Sequence, residues 1–160
     1  ICSSNIKTSM MNNLGLIPLK NFCKVDTNLY RSAQPQYDYE YRWLKKVLGI
    51  DVIINLRSEM DMDAKFSIKH DIMHFTIPVK DHNPPSDENV EQFRKYLDLF
   101  KDKKVLFHCE HGHGRTSTFC VIARIHKGWS LEDALKEEQE KFHFTFKHKA
   151  QTKFLKQKFQ

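Results

Sequence analysis

The chain has 160 residues, a length that fits one domain with a single hydrophobic core. Its formal net charge of +6, with histidine counted as neutral, favours an anionic partner. No apolar stretch approaches the roughly 18 residues that a membrane-spanning helix needs, so no membrane span is predicted. The lysines are spread along the chain, which argues against a nucleic-acid partner.

The first half of the chain alternates between strand and helix patterns. Residues 1–21 are predicted to be an irregular N-terminal arm, and residues 22–160 a single domain. The pattern predicts a strand at 25–31, a helix at 37–48 that Gly49 ends, a buried strand at 51–56, a short helix at 59–70 and a strand at 72–77. Such alternation is typical of an α/β fold with a mainly parallel central sheet and helices on both faces.

The second half continues the same alternation. Ser86 is predicted to cap a helix that runs to about residue 101, followed by a buried central strand at 104–107 and a helix at 116–127 that stops at Gly128. Ser130 then begins a helix from 131 to about 141, and a last helix spans about 147–158. Phe142, Phe144 and Phe146 alternate between these two helices, and we expect them to anchor the last helix.

The most informative run is His-Cys-Glu-His-Gly-His-Gly-Arg-Thr at residues 108–116. It lies between the predicted strand and helix, where backbone N–H groups converge and the helix dipole adds positive charge. Gly112 and Gly114 allow the backbone to curl tightly. The guanidinium of Arg115 can bind two phosphate oxygens at once. These features predict a cradle for a phosphate group.

The same positive field favours the thiolate form of Cys109. The expected chemistry is attack of this sulfur on phosphorus to give a cysteinyl-phosphate, with the loop amides and Arg115 stabilising the transition state. Thr116 could donate a hydrogen bond to the sulfur when it leaves. His108 is expected to orient the loop through its ring nitrogens.

Two alternatives compete for this run. His108, Cys109, His111 and His113 could bind a metal ion, but structural metal sites usually combine two separated pairs of ligands. Alternatively, Cys109 could be a buried structural cysteine beside a solvated arginine, which leaves both glycines unexplained. The sequence therefore predicts neither a metal nor a cofactor.

A phosphoryl transfer of this kind needs a proton donor near the leaving oxygen. Asp81 is the best candidate, because it lies in a proline-containing loop, residues 78–85, between a predicted strand and a predicted helix. Asp71 and Asp87 are rival candidates. Asp87 fits better as a residue of the first helical turn, where a negative charge offsets the dipole.

These motifs carry a family resemblance. The pattern Cys-x5-Arg-Thr preceded by His resembles the signature of the cysteine-dependent protein tyrosine phosphatase superfamily. The form His-Cys-Glu-x-Gly-x-Gly-Arg-Thr is most similar to the tyrosine-phosphatase-like phytases, which dephosphorylate inositol polyphosphates. Asp-His-x-x-Pro at Asp81 resembles the general-acid loop of that branch, although Asn83 stands where many members have Trp. The resemblance covers about residues 22–145 and implies a tyrosine-phosphatase-like fold.

Arg57 ends a predicted buried strand, and a Leu-Arg pair at this strand end lines the substrate site in phytase-like relatives. Glu59 could simply hold Arg57 in place, and Arg31 also lies at a strand end near the inferred site. The other predicted substrate-binding residues belong to the cradle or to the acid loop: Glu110, His111, Gly112, His113, Gly114, Lys80 and His82. For each charged member the alternative is a solvated or structural charge.

The sequence thus predicts a metal-independent phosphomonoesterase acting on inositol polyphosphates such as phytate, an anionic phosphorylated small molecule. The alternatives are a protein tyrosine or dual-specificity phosphatase acting on phosphoproteins, and a phosphate-binding module without turnover. A start at Ile1 and not at Met is compatible with removal of a leader, so we expect secretion or a periplasmic location in preference to the cytoplasm. Cys2 and Cys23 could pair, whereas Cys120 is expected to pack in a helix.

Overall fold

The computed structural model describes residues 16–144 and 146–160. Five strands in this part of the chain form one sheet with the order β1-β2-β5-β3-β4: β1 Cys23–Asp26, β2 Leu29–Ser32, β3 Val52–Arg57, β4 Met73–Val79 and β5 Val105–His108. Four adjacent strands are parallel to one another, in the order β2, β5, β3 and β4, and β1 pairs antiparallel with β2 at the edge of the sheet. The predicted, mainly parallel sheet is confirmed, and the strand before the cradle lies at its centre.

Helices cover both faces of the sheet. They are α1 Asp38–Trp43, which continues as a π-helical turn Leu44–Leu48, α2 Asp63–Lys69, α3 Asp87–Leu99, α4 Gly114–His126, α5 Leu131–Phe142 and α6 Lys149–Lys158, which follows a 3₁₀ turn Phe146–His148. Side chains of α1 and α2 pack with one face of the sheet, and those of α3 to α6 pack with the other.

The central strands are buried on both sides, as the apolar runs in the sequence indicate. Val52 and Ile54 of β3 belong to the core beneath α3 to α6, whereas Ile53 belongs to the core beneath α1 and α2. Neighbouring β5 follows the same alternation, because Phe107 faces the first core and Leu106 the second. This double burial fixes the register of the strand that leads into the cradle.

The predicted helix ends are confirmed at three positions. Ser86 Oγ accepts a hydrogen bond from the backbone N–H of Asn89 at 3.0 Å, and Ser130 Oγ accepts one from Asp133 at 3.1 Å. Gly49 ends the π-helical turn with φ of 74°, a left-handed conformation that glycine adopts without steric cost.

Several predicted boundaries were shifted, as where the helix expected at 59–70 is Asp63–Lys69, and two differences affect the elements around the cradle. The single strand expected at 25–31 is a hairpin of β1 and β2, because Asp26 Oδ1 accepts a hydrogen bond from Thr27 N at 2.8 Å and turns the chain. Helix α4 begins at Gly114, two residues before the expected start at Thr116. The glycine is held in the first turn because its carbonyl accepts a hydrogen bond from Thr118 Oγ1 at 2.7 Å.

At the C-terminal end, Phe144 is fully buried, and its ring lies 5.1 Å from that of His148 at the start of α6. The side chain of Phe146 lies outside the described part. Residues 1–15, which include Cys2 and most of the predicted arm, also lie outside the described part. The pairing of Cys2 with Cys23 and the boundary of the arm therefore stay predictions. Among the described helices, none has the length and apolar character needed to cross a membrane.

Candidate active site

The loop between β5 and α4 curls against the connection that follows β2. Gly112 has φ of 75°, and a Cβ on it would lie 2.9 Å from Ala33 N and 3.0 Å from the carbonyl carbon of Ser32. The backbone N–H of Gln34 donates to the Glu110 carbonyl at 3.0 Å, which ties the loop to the same connection. Glycine is therefore required at this position by both conformation and space.

Cys109 lies at the wall of an open cavity of about 230 Å³. The residue is 4% exposed, so most of its surface is packed inside the protein. The hydroxyl of Thr116, in the first turn of α4, donates to Cys109 Sγ at 2.9 Å. The structure thus brings together the predicted nucleophile and the residue predicted to assist its departure.

Arg115 lines the same cavity and is held firmly from behind. Its two terminal nitrogens donate to Glu59 at 2.7 and 2.9 Å, and NH1 also donates to the carbonyl of Val79 at 2.9 Å. Its Nε is buried and has no hydrogen-bond partner among the described residues. The guanidinium is therefore fixed in place, with the Nε–H and one N–H of NH2 still available for a ligand.

Glu59 is a supporting residue that the sequence revealed only in part. Its predicted contact with Arg57 is present, with Arg57 Nε donating to Glu59 Oε1 at 2.9 Å. Hydrogen bonds from Arg115 lower the pKa of Glu59 to about 2, and Arg57 contributes in the same direction. Glu59 is thus ionised at neutral pH, and its bond to Arg115 was missed because no sequence pattern links residues 56 positions apart.

His108 is fully buried and does not face the cavity. Its Nε2 lies 2.6 Å from Asp63 Oδ2, and its Nδ1 lies 3.1 Å from the carbonyl oxygen of Cys109. Asp63 also accepts hydrogen bonds from the Tyr41 hydroxyl at 2.6 Å and from Gln34 Nε2 at 3.1 Å. This geometry fits the orienting role predicted for His108, and Asp63 is a further residue that sequence reasoning missed.

Burial would raise the pKa of Asp63, but the charge and hydrogen bond of His108 and the bonds from Tyr41 and Gln34 outweigh it. The pKa of Asp63 therefore lies below its ordinary value. A charged carboxylate is thus kept behind the loop, where it fixes the His108 ring against the backbone of Cys109.

Arg31 supports the loop from the opposite side. Its NH2 donates to the Gly112 carbonyl at 2.6 Å and to Ser117 Oγ at 3.1 Å. Glu138, which is fully buried, bonds both Arg31 and Arg124. Because Arg31 itself is fully buried and is not part of the cavity wall, it holds the loop rather than facing a ligand.

Asp81 lines the cavity close to Arg115. Its Oδ1 lies 3.5 Å from Arg115 NH2 and accepts a hydrogen bond from His82 N at 2.9 Å. The rival aspartates lie elsewhere: Asp87, in the first turn of α3, is bound by Lys158 Nζ at 2.7 Å, and Asp71 forms the turn before β4 with φ of 55°. Only Asp81 among these three reaches the cavity.

The predicted outer residues divide into two groups. Those that line the cavity are His82, Glu110, His111, His113 and Gly114. The other three, Gly112, Lys80 and Arg57, do not line the cavity. The carbonyl of Gly112 points to Arg31, and Lys80 is exposed. The side chain of Arg57 is held by Glu59 and by Gln34 Oε1, the latter at 3.2 Å. The structure also adds two lining residues that the sequence did not indicate: His148, just before the last helix, and Gln151, within it.

The histidines of the cradle diverge. His108 is turned inward to Asp63, whereas the side chain of His111 is 75% exposed. His113 lies between these extremes, and burial followed by the nearby charges of Arg31 and His148 lowers its pKa. Within the described residues, no group of three or more His, Cys, Asp or Glu side chains is placed to hold a metal ion.

The fold and the site together define a class of protein. A Cys-x5-Arg loop between a central parallel strand and a helix, with a threonine bonded to the sulfur, identifies a phosphatase of the cysteine-dependent protein tyrosine phosphatase superfamily. A family model described as a DSP-PTPase phosphatase fused to NAD+ kinase matches residues 20–157. The chain belongs to this family, and the predicted superfamily is confirmed.

Individual relatives agree with this assignment. OCA1 of Meyerozyma guilliermondii, whose name places it among tyrosine-protein phosphatases, is 30% identical over 142 residues, covering 81% of this chain and 75% of that protein. The inositol diphosphatase DSP5 of Arabidopsis thaliana is 27% identical over 137 residues, covering 78% of this chain and 63% of that protein. The crystal structure of Tk-PTP in its active form is 26% identical with a TM-score of 0.69, covering 84% of this chain and 92% of that one.

Proposed function

We propose that this phosphatase hydrolyses phosphate esters of inositol, such as phytate, by a metal-independent route through a cysteinyl-phosphate. The observation that carries the proposal is the 2.9 Å hydrogen bond from Thr116 to the sulfur of Cys109, at the wall of the cavity that Arg115 also lines. A nucleophile, a fixed cation and a donor to the leaving sulfur therefore converge on one site.

In the first step, the thiolate of Cys109 attacks phosphorus. The S–P bond forms while the ester P–O bond breaks, and Asp81 gives its proton to the departing oxygen. Negative charge on the remaining phosphate oxygens is stabilised by the loop amides and by Arg115. Because Glu59 fixes the guanidinium before substrate arrives, little reorganisation is needed.

In the second step, water attacks the phosphorus of the cysteinyl-phosphate. Asp81, now a carboxylate, accepts a proton from that water as the P–S bond breaks. The electron pair returns to sulfur, and the hydroxyl of Thr116 stabilises the thiolate through its hydrogen bond. His108 takes no proton in either step and keeps the loop oriented through Asp63.

Three features support an inositol phosphate as substrate. The cavity wall carries Arg115 and four histidines, at positions 82, 111, 113 and 148, which suit an anion with several phosphates. The net charge of +6 acts in the same direction. The relative DSP5 is named as an inositol diphosphatase. Phosphotyrosine is the second candidate, which the name of OCA1 favours.

The test compares release of phosphate from phytate and from a phosphotyrosine peptide, both in the presence of a chelator. We expect a higher kcat/KM for phytate, and Cys109→Ser should abolish turnover while the protein still binds phosphate. A much higher kcat/KM for the peptide would contradict the proposal and favour phosphotyrosine as the substrate. Absence of turnover on either substrate and on an aryl phosphate would indicate a phosphate-binding module.

The role of Asp81 has its own test. Asp81→Asn should reduce kcat on phytate by about 10²-fold or more, the lower range of general-acid catalysis, and reduce kcat less on p-nitrophenyl phosphate, whose leaving group needs no proton. Asp87→Asn is the matched control, since Asp87 lies outside the cavity wall. Equal losses on the two substrates would show that Asp81 is not the acid.

A further inference from the structure

The last helix brings two polar side chains to the cavity that the mechanism above does not use. His148 precedes α6, Gln151 lies in its first turn, and both line the cavity together with Cys109 and Arg115. They form a second side of the cavity, because the cradle lies between β5 and α4 whereas α6 packs against α4.

Gln151 has an unused donor at this wall. The residue is 2% exposed, and its Nε2 is buried without a hydrogen-bond partner among the described residues. A Cβ added to Gly114, itself a lining residue, would lie 3.2 Å from this nitrogen, so the amide reaches the cradle itself. A buried donor without a hydrogen-bond partner destabilises the free protein, and such a donor at a cavity wall points to a ligand that satisfies it.

His148 lies beside Gln151. Its Cδ2 would be 3.1 Å from the same Cβ position on Gly114, and its ring is tilted by 31° against that of Phe144. Burial lowers the pKa of His113, and electrostatic repulsion from Arg31 and then from His148 acts in the same direction, so His148 lies within electrostatic reach of His113. An anion placed between the two histidines would relieve this repulsion.

We infer that Gln151, His148 and His113 form a binding site for a second phosphate group of the substrate, next to the phosphate that Cys109 attacks. The inference rests on the proposed function, because it requires a substrate with more than one phosphate. The cavity of about 230 Å³ has room for roughly seven water-sized volumes of about 30 Å³, more than one phosphate occupies. The cradle amides and Arg115 serve the reacting phosphate, so donors on the α6 wall are left for its neighbour.

The test measures binding rather than turnover. Calorimetry on the Cys109→Ser protein gives the Kd for inositol hexakisphosphate and the Kd for inorganic phosphate. Adding Gln151→Leu, which has similar volume and no donor, should raise the ratio of the first Kd to the second about tenfold, since a hydrogen bond to a charged group is lost. Gln157→Leu, an exposed position on the same helix, is the matched control and should leave the ratio unchanged.

Thermal unfolding separates a ligand-binding amide from a structural one. Because Nε2 has no described partner in the free protein, Gln151→Leu should leave Tm unchanged or raise it. A lower Tm, an equal loss of affinity for both ligands, or an unchanged ratio would each overturn the inference. If the wild-type enzyme does not hydrolyse phytate but the ratio still depends on Gln151, the proposed function fails and the second-phosphate site stands.

Discussion

Replacing Glu138 by Gln tests whether the buried charges behind the loop stabilise the fold. Glu138 and Arg31 are fully buried, Arg124 is 2% exposed, and the carboxylate bonds both guanidinium groups. Glutamine keeps the volume of the side chain but removes its charge, so two buried cations are left without their shared counterion. Removal of one partner from a buried ion pair typically costs about 3–5 kcal/mol.

For a domain of this size, each kcal/mol lowers Tm by about 2–4 °C, so Glu138→Gln should lower Tm by about 6–20 °C at pH 7. Circular dichroism during heating measures this change. Glu140→Gln is the control on the same helix, because Glu140 is exposed and its oxygen lies 4.0 Å from Lys136 Nζ. That surface pair should contribute less than about 1 kcal/mol.

The difference in Tm should also depend on pH. Burial acts to raise the pKa of Glu138, but the charges and hydrogen bonds of Arg31 and Arg124 outweigh it and hold the pKa below 4.5. A carboxyl group whose pKa is lower in the folded than in the unfolded protein stabilises the fold at any pH above its unfolded-state pKa. This stabilisation is lost as the pH falls through the folded-state pKa. The difference in Tm between the wild-type protein and Glu138→Gln should therefore become smaller below pH 4.5. A variant within 2 °C of wild type at pH 7, or a gap that widens in acid, would refute the reasoning.

Three further predictions concern the cradle. Gly112→Ala should lower Tm and kcat/KM more than Gly128→Ala. Both glycines have positive φ, but only a Cβ at 112 would meet backbone atoms within 3.0 Å. Equal effects of the two substitutions would show that steric space at 112 is not the constraint. At pH 7 iodoacetamide should modify Cys109 and spare Cys120, whose pKa burial raises to about 12, and peptide mass spectrometry would reveal the opposite order. Glu59→Gln should lower kcat/KM for p-nitrophenyl phosphate about tenfold, because Arg115 is then held less firmly. An unchanged kcat/KM would show that Glu59 does not position Arg115 for catalysis.

The cradle itself was predictable because all of its parts lie in one short segment. Cys109, Arg115 and Thr116 are brought together by a single turn of chain, so their spacing in the sequence fixes their spacing in the fold. The alternation of strands and helices likewise follows from local periodicity. The start of α4 was placed two residues late, because Gly114 suggested a loop where a hydrogen bond from Thr118 to its carbonyl holds it in the helix.

The residues that support the cradle could not be predicted in the same way. Asp63, Glu59 and Glu138 bond their partners across 45, 56 and 107 positions of sequence. Each is an acidic residue in or near a helix, a position where a solvated charge is the ordinary expectation. Gln151 was missed for a similar reason, since its burial depends on how α6 packs against α4.

These three carboxylates give the cradle a common design. Asp63 fixes His108 behind the nucleophile, Glu59 fixes the arginine of the cradle, and Glu138 fixes Arg31 against the carbonyl of Gly112. Each carboxylate holds one part of the cradle through a charged partner, while Cys109 and Arg115 still line the cavity. Since a cradle that reorganises on binding loses catalytic power, these supports matter for rate although none is expected to contact substrate. Loss of any one should therefore reduce kcat on all phosphate esters alike, whereas loss of Gln151 should discriminate between them.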